Sequence, residues 1–227
     1  MKEFVTPAIV LARTNYGEAD RIITLITPEH GKVRLVAKGV RRLRSKLAGG
    51  VELFSISSIT YIQGRGDLGT LISSRLSTHF GHIVEDIDRT MVGYELLKEF
   101  NKVTEDQPEK DYFNLLEHTL AALDDNTIPL ETLRFWFAAQ LLRLSGRAPN
   151  LQTTAQGKPL QAETNYEFDF EHMTFAENAS GTFNAAHIKF LRLGFGDYHP
   201  AVLARVQGGA RMVADCQALL AHLANSA

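Results

Sequence analysis

The pattern of apolar and polar residues predicts β-strands over the first 80 residues and mainly helices after them. In the first part, β-branched residues and period-two alternation mark short strands, which are separated by turns rich in Gly, Pro and Asn. The predicted strands cover residues 8–12, 21–27, 32–38, 51–62 and 68–77. Five short strands within about seventy residues indicate a small closed barrel.

After residue 80 the apolar residues adopt the helical spacing. A first helix is predicted over residues 83–103, with one apolar row formed by Ile83, Ile87, Met91, Tyr94, Leu97 and Phe100. Further helices are predicted over residues 112–123 and from Pro129 to Leu144, the last with Gly146 at its C-terminal cap.

The last third of the chain changes character twice. A polar segment over residues 149–164 precedes the alternation of Tyr166, Phe168 and Phe170 with acidic residues, which predicts a β-hairpin carried by the helical part. A short helix should follow, with Asn184 as its N-cap and Gly194 as its stop. Pro200 opens another helix, which is interrupted at Gly208 and Gly209.

These breaks predict an α+β protein with four parts: an N-terminal barrel, a helical domain, an insertion that carries the hairpin, and C-terminal helices that pack on the helical domain. The predicted boundaries are 1–80, 81–146, 147–183 and 184–227.

Residues 31–46 are the most informative stretch. Val33, Leu35 and Ala37 alternate with Lys32, Arg34 and Val36, so one strand face is apolar and the other is mostly cationic. The following residues carry four cations within six positions, and the whole stretch contains no Asp or Glu; the four are Arg41, Arg42, Arg44 and Lys46. A rigid strand that leads into a basic loop suits a polyanion with regularly spaced charges, as in the OB-fold, the small barrel that binds nucleic acids. A solvated surface face is the alternative interpretation.

Charge is unevenly distributed along the 227 residues. Residues 1–80 hold twelve Lys and Arg against six Asp and Glu, a net of +6, whereas residues 81–227 carry a net of −8. A basic N-terminal part and an acidic C-terminal part indicate two modules with different partners. Cys216 is the only cysteine, which excludes an internal disulfide and a thiolate zinc site. With no apolar run of about twenty residues and no basic-then-apolar start, a cytoplasmic protein is expected.

Candidate catalytic and metal-binding patterns are weak. Gly64, Gly66 and Gly69 match the dinucleotide fingerprint as a string, but a strand follows where a helix is required, so a hairpin is favoured. A metal site at the spacing of His79, His82 and Asp86 would need a further ligand, and surface polarity is the simpler explanation. No nucleophile motif is present. We therefore expect no catalytic residue, no metal and no cofactor.

Three strings, in this order along the chain, resemble the RecO family of bacterial recombination mediators: NYGEAD at residues 15–20, LITPEHGKVRLVAKGVRR at 25–42, and GRGDLGTL at 64–71. The resemblance implies an N-terminal OB-fold, a central helical domain and a zinc module inserted late in the chain. It also implies binding to single- and double-stranded DNA, annealing of complementary strands, and action with RecR to help RecA replace single-strand-binding protein (SSB). The family's pocket for the SSB tail lies among the helices, and a place near the bacterial nucleoid is implied.

The family's basic OB surface falls on seven residues of this chain: Lys32, Arg34, Lys38, Arg41, Arg42, Arg44 and Lys46. Four arginines are weaker candidates because their strand faces are uncertain: Arg13, Arg21, Arg65 and Arg75. Aromatic residues are sparse in the barrel; beyond Phe4 and Phe80 they are Tyr16, Phe54 and Tyr61. This sparseness favours a mode of binding that depends on the nucleic-acid backbone more than on base stacking.

Two departures from the family pattern matter. Many members bind zinc through two Cys-x-x-Cys pairs in the region of residues 148–180, where this chain has no cysteine, so the hairpin is expected to form without metal. We also expect this chain to lack the longer basic C-terminal tail of some relatives. Two other functions remain open: an adaptor whose barrel is a protein-docking surface, and an enzyme that uses residues 148–164 as a substrate loop.

Overall fold

The computed structural model describes residues 2–64, 66–104 and 110–225. The contacts between residues group the chain into two compact units, residues 1–126 and 127–227. The first unit contains the predicted barrel and the helices up to residue 124. The second contains the remaining helices and the hairpin.

Five strands close into a barrel in the order β1-β2-β3-β5-β4. They are β1 (Lys2–Tyr16), β2 (Asp20–Thr27), β3 (Gly31–Ala37), β4 (Ser55–Gln63) and β5 (Leu68–His79). Only the β3–β5 pair is parallel among these neighbours. The predicted α+β class and the five predicted N-terminal strands are therefore confirmed. β1 starts six residues before its predicted start because residues 2–9 pair with β4, a long-range contact that a local pattern cannot reveal.

The interior of the barrel is filled by apolar side chains from all five strands. Along β3, Leu35 and Ala37 are buried in this core and Val33 packs against it, whereas Arg34 is exposed. The alternation predicted for this strand is therefore confirmed. Val40 and Val51, which lie on either side of the basic residues, also belong to the core.

The helices of the first unit differ from the single helix predicted over residues 83–103. The structure has α1 (His82–Glu85), α2 (Ile87–Val103) and α3 (Lys110–Asp124). Asp86 separates α1 from α2 because its backbone is extended, and its carboxylate accepts hydrogen bonds from the backbone N–H groups of Asp88 and Arg89. This N-cap satisfies donors that a helix start would otherwise leave unpaired, so it favours a new start at this position.

The face of α2 that is buried also differs from the predicted row. Of that row, Ile83, Leu97 and Phe100 are buried as predicted, whereas Ile87, Met91 and Tyr94 are exposed. The buried face of the helix is completed by Val92, Gly93 and Leu96. The helix packs on β1, and a Cβ atom on Gly93 would lie only 2.6 Å from the ring of Phe54. Two apolar rows overlap in this helix. The row that contains Gly93 is buried, because a glycine lets the helix approach Phe54 closely.

The second unit contains α4 (Leu130–Leu144), β6 (Tyr166–Asp169), β7 (Thr174–Glu177), α5 (Ala185–Phe195), α6 (Pro200–Ala204) and α7 (Gly209–Asn225). Helix α4 packs against the three later helices, and β6 pairs with β7 as the predicted hairpin. Asn184 caps α5 as predicted. Gly194 does not end that helix: a Cβ there would lie 2.8 Å from the ring of Phe135, so the glycine provides close packing inside the helix.

Cys216 is fully buried in α7. Burial, together with the charge of Asp215, raises the pKa of this thiol to about 12. Because the thiolate is the reactive form, we expect the folded chain to show no rapidly reacting thiol towards a disulfide reagent at about pH 8, and the unfolded chain to react fully. Absorbance of the released chromophore measures this directly, and rapid reaction of the folded chain would contradict the burial.

No helix in the described part of the chain is both long enough and apolar enough to cross a membrane.

Candidate nucleic-acid interface

The connection between β3 and the short 3-10 turn at Ala48–Gly50 carries most of the predicted site, and we call residues 38–47 the basic loop. Its apolar residues anchor it at both ends: Val40 is buried in the barrel core and Leu47 packs against the same core. The Oγ of Ser74 on β5 donates a hydrogen bond to the carbonyl of Leu47 at 3.0 Å. The cationic middle is therefore fixed to the barrel from both sides.

The turn between β1 and β2, residues 17–19, provides a second anchor. The carboxylate of Asp20 accepts the backbone N–H of Gly39 at 2.7 Å. The backbone N–H of Arg41 donates to the carbonyl of Ala19 at 2.9 Å, and its guanidinium donates to the carbonyl of Glu18 at 3.2 Å. The carboxylate of Asp20 thus positions the basic loop, and the loop and the β1–β2 turn form one continuous surface.

The apex of the basic loop is a hydrogen-bonded turn over residues 42–45. The N–H of Ser45 donates to the carbonyl of Arg42 at 3.0 Å, which places Leu43 and Arg44 at the two central positions. Arg42, Leu43 and Arg44 are all exposed. Within the described residues, neither guanidinium of the apex is held by a hydrogen bond or an ion pair, so both are available to an external anion.

Five of the seven predicted site residues come together on this loop and are exposed: Lys38, Arg41, Arg42, Arg44 and Lys46. Arg34 is also exposed, but it lies on the outer wall of the barrel between Thr24 of β2 and Leu68 of β5. Four residues of strand separate it from Lys38, which corresponds to roughly 13 Å. Arg34 can therefore extend the basic surface along the wall and is not part of the loop itself.

Lys32 lies elsewhere. Its Nζ donates to the carbonyl of Asn101 at 3.1 Å and to that of Thr104 at 2.8 Å, at the C-terminal end of α2. Carbonyls at a helix C-terminus lack partners within the helix and carry partial negative charge, so a lysine there stabilises the helix end. The strand pattern places Lys32 on the outer face correctly, but it gives no sign of the helix that covers this position.

The weaker candidates are mostly occupied or distant from the loop. The guanidinium of Arg13 pairs with the Glu52 carboxylate at 2.5 Å, and the Nε of Arg21 donates to Asn15 at 3.1 Å. Arg75 is exposed on β5, and Arg65 lies outside the described residues.

Among the three barrel aromatics singled out from the sequence, only Tyr16 is available to a nucleic-acid base. Phe54 and Tyr61 are each 2% exposed, and burial, with the charge of Glu29, raises the pKa of Tyr61. Tyr16 is 54% exposed at the end of β1 and pairs across the ladder with Asp20, which holds the basic loop. In the sequence, the position of Tyr16 beside the β1–β2 turn is the only sign that separates it from the buried Phe54 and Tyr61.

The other candidate patterns do not form sites in the described part of the chain. Gly64, Gly66 and Gly69 lie where β4 passes into β5, which confirms the hairpin interpretation. His82 pairs with Asp124 at 3.2 Å, and Asp86 caps α2. No group of three or more His, Cys, Asp or Glu among the described residues could hold a metal ion.

Comparisons with known proteins find related sequences for most of this chain. Residues 1–80 match the family model for the N-terminal part of recombination protein O, and residues 85–193 match the model for its C-terminal part. Similar proteins named DNA repair protein RecO occur in Dehalococcoides mccartyi, Alkaliphilus metalliredigens and Listeria welshimeri, at 34%, 35% and 31% identity. The matches cover 72%, 64% and 71% of this chain. They span 65%, 59% and 62% of the relatives, a little under two thirds of their length. The chain therefore belongs to the RecO family.

Proposed function

We propose that this chain is a DNA-binding recombination mediator that holds nucleic acid on the basic loop. The observation that carries the proposal is the loop itself: exposed cations, no acidic residue, and a backbone fixed to the barrel and to the β1–β2 turn. The proposed contacts are Lys38, Arg41, Arg42, Arg44 and Lys46, with Arg34 on the adjoining wall. Lysine and arginine neutralise phosphates and release counterions, which gives affinity without sequence preference for both single and double strands.

Strand annealing follows from the same electrostatics. A protein that neutralises the phosphates of one strand lowers its repulsion of a second, complementary strand. Together with the names of the relatives, this supports a role in DNA repair and recombination. We extend the proposal to action with RecR in loading RecA onto single strands covered by SSB, and to the bacterial cytoplasm as the compartment; no chemical reaction is proposed.

The hairpin segment, residues 147–183, is proposed as a cysteine-free counterpart of the family's zinc module. Aromatic contacts link its two strands and the segment that follows them: the ring centroid of Phe175 lies 5.1 Å from that of Phe168 and 5.4 Å from that of Phe183. Tyr166 and Phe175 are fully buried. An apolar cluster of this kind can stabilise the hairpin in place of a metal.

Titration of a fluorescently labelled single strand, followed by polarisation over a series of salt concentrations, tests the proposed function. We expect the chain to bind at low salt. The logarithm of the association constant should fall linearly with the logarithm of the salt concentration, by about 0.7 for each phosphate contacted. A labelled duplex should show the same behaviour. Failure of the chain to bind either DNA at low salt would overturn the proposal.

The adaptor function is the second candidate, and the outer wall of the barrel is the observation that favours it. Val5 on β1 is 70% exposed, and Leu68 and Ile72 on β5 are 41% and 48% exposed. Exposed apolar side chains on the outside of a barrel can contribute to a protein interface. A competition experiment separates the two functions, because an adaptor's barrel would bind RecR equally well with and without saturating DNA.

Tyr16 gives a prediction that distinguishes single strands from duplexes. Replacing Tyr16 with Ala should weaken single-strand binding by about fivefold, the lower end of the usual contribution of one stacked base, and leave duplex binding within about twofold. Only a single strand offers unpaired base faces. Tyr16→Phe, which retains the ring, is the control and should bind like the unmodified chain in the polarisation assay. An equal loss on both DNAs would mean that Tyr16 shapes the loop and does not stack.

A further inference from the structure

The apex of the basic loop presents one large apolar side chain to solvent. Val40 and Leu47 of the same loop are directed into or against the barrel core, whereas Leu43 is as exposed as in an extended chain, at 107%. Leu43 therefore contributes nothing to packing. Its whole apolar side chain is presented to anything that the two neighbouring arginines of the turn bind.

Backbone geometry sets where Leu43 points. The hydrogen bond from Ser45 to Arg42 makes Leu43 a corner residue of the turn, and the turn's base is held by the bonds from Arg41 to the β1–β2 turn. Arg42 and Arg44 flank the leucine and are both exposed. A polyanion drawn to these two arginines meets Leu43 between them.

We propose that Leu43 is an apolar wedge that enters between neighbouring bases of the DNA held by the basic loop. This inference rests on the proposed function. It adds a contact with the DNA bases to a site whose other proposed contacts are with phosphates. Apolar side chains set among cations can insert between base steps and partly unstack them, because the phosphate contacts offset the cost of unstacking. The substrates favoured are strands whose steps open easily: single strands, junctions and duplexes with flexible TA or CA steps.

The test uses a short duplex with a TA step and one 2-aminopurine, a base analogue whose emission rises when it is unstacked. We expect the unmodified chain to raise this emission on binding. Leu43→Ala should lose most of the rise, while its affinity, measured by polarisation on the same sample, stays within about threefold because the phosphate contacts remain. Leu43→Met retains an apolar side chain of similar size and should retain the rise. Val84→Ala, at an exposed apolar position of α1, should behave like the unmodified chain.

The outcomes separate the wedge from the proposed function. Tight binding with no rise in emission, or a rise that Leu43→Ala retains, would overturn the wedge and leave the DNA-binding function intact. If Leu43→Ala instead abolished binding to vesicles of anionic phospholipid and left the emission unchanged, Leu43 would be a membrane contact and the wedge would be wrong. Absence of any binding by the unmodified chain would overturn both.

Discussion

Reversing the two arginines at the apex of the basic loop, Arg42→Glu with Arg44→Glu, is expected to weaken single-strand binding by at least about 25-fold at about 0.1 M salt. Each phosphate that is no longer neutralised lowers the affinity by a factor of about five at that concentration, because the counterion exponent is about 0.7 for single strands. The two carboxylates also repel the phosphates, so this factor is a lower bound. Arg41 is left unchanged because its guanidinium holds the β1–β2 turn.

The salt dependence provides the sharper measurement. With two fewer phosphates neutralised, the slope of the logarithm of affinity against the logarithm of salt should fall by about 1.4. A matched control reverses two exposed cations of the second unit, Lys158→Glu and Arg205→Glu, which changes the net charge by the same amount. If the control showed the same fall in affinity and slope, net charge would explain the effect and the loop would be excluded as the site.

The sequence was sufficient to predict the barrel and the basic loop because each depends on local pattern. Alternation along β3 assigns its inner and outer faces without knowledge of any neighbour, and a cationic run with no acidic residue cannot neutralise itself internally. Asn184 as the cap of α5 and the break at Gly208 and Gly209 follow from local backbone chemistry in the same way.

Most of the errors in the prediction involve tertiary contacts; the break at Asp86, a local N-cap, is the exception. Ile87, Met91 and Tyr94 satisfy the helical period as well as the buried row does, and only the close approach of Gly93 to Phe54 selects between the two rows. Gly194 fits a helix stop until Phe135 is seen to pack against it. Periodicity describes one element at a time, whereas these positions are decided by a second element.

Lys32 shows the same limit at the candidate site. On sequence grounds it is equivalent to Arg34, two residues later on the same strand face, and the resemblance to the family places both on the DNA surface. The end of α2 removes Lys32 from that surface, because its ammonium is bound to the carbonyls of Asn101 and Thr104. The two cations are therefore expected to differ: Lys32 should act in stability, and Arg34 in binding if the proposed function holds.

Replacing each of these cations with methionine, which retains the apolar stem, should separate the two roles. Lys32→Met removes charge-assisted hydrogen bonds to the end of α2 and should lower the free energy of unfolding by about 2 kcal/mol. For a chain of this size that is a fall of roughly 4 to 8 °C in the midpoint of thermal unfolding, measured by circular dichroism. The DNA affinity of Lys32→Met, measured below its thermal unfolding transition, should be unchanged.

Arg34→Met, at an exposed position, should change the free energy of unfolding by less than about 0.5 kcal/mol and weaken DNA binding by about fivefold. A fall in DNA affinity on Lys32→Met without a fall in stability would return Lys32 to the binding surface.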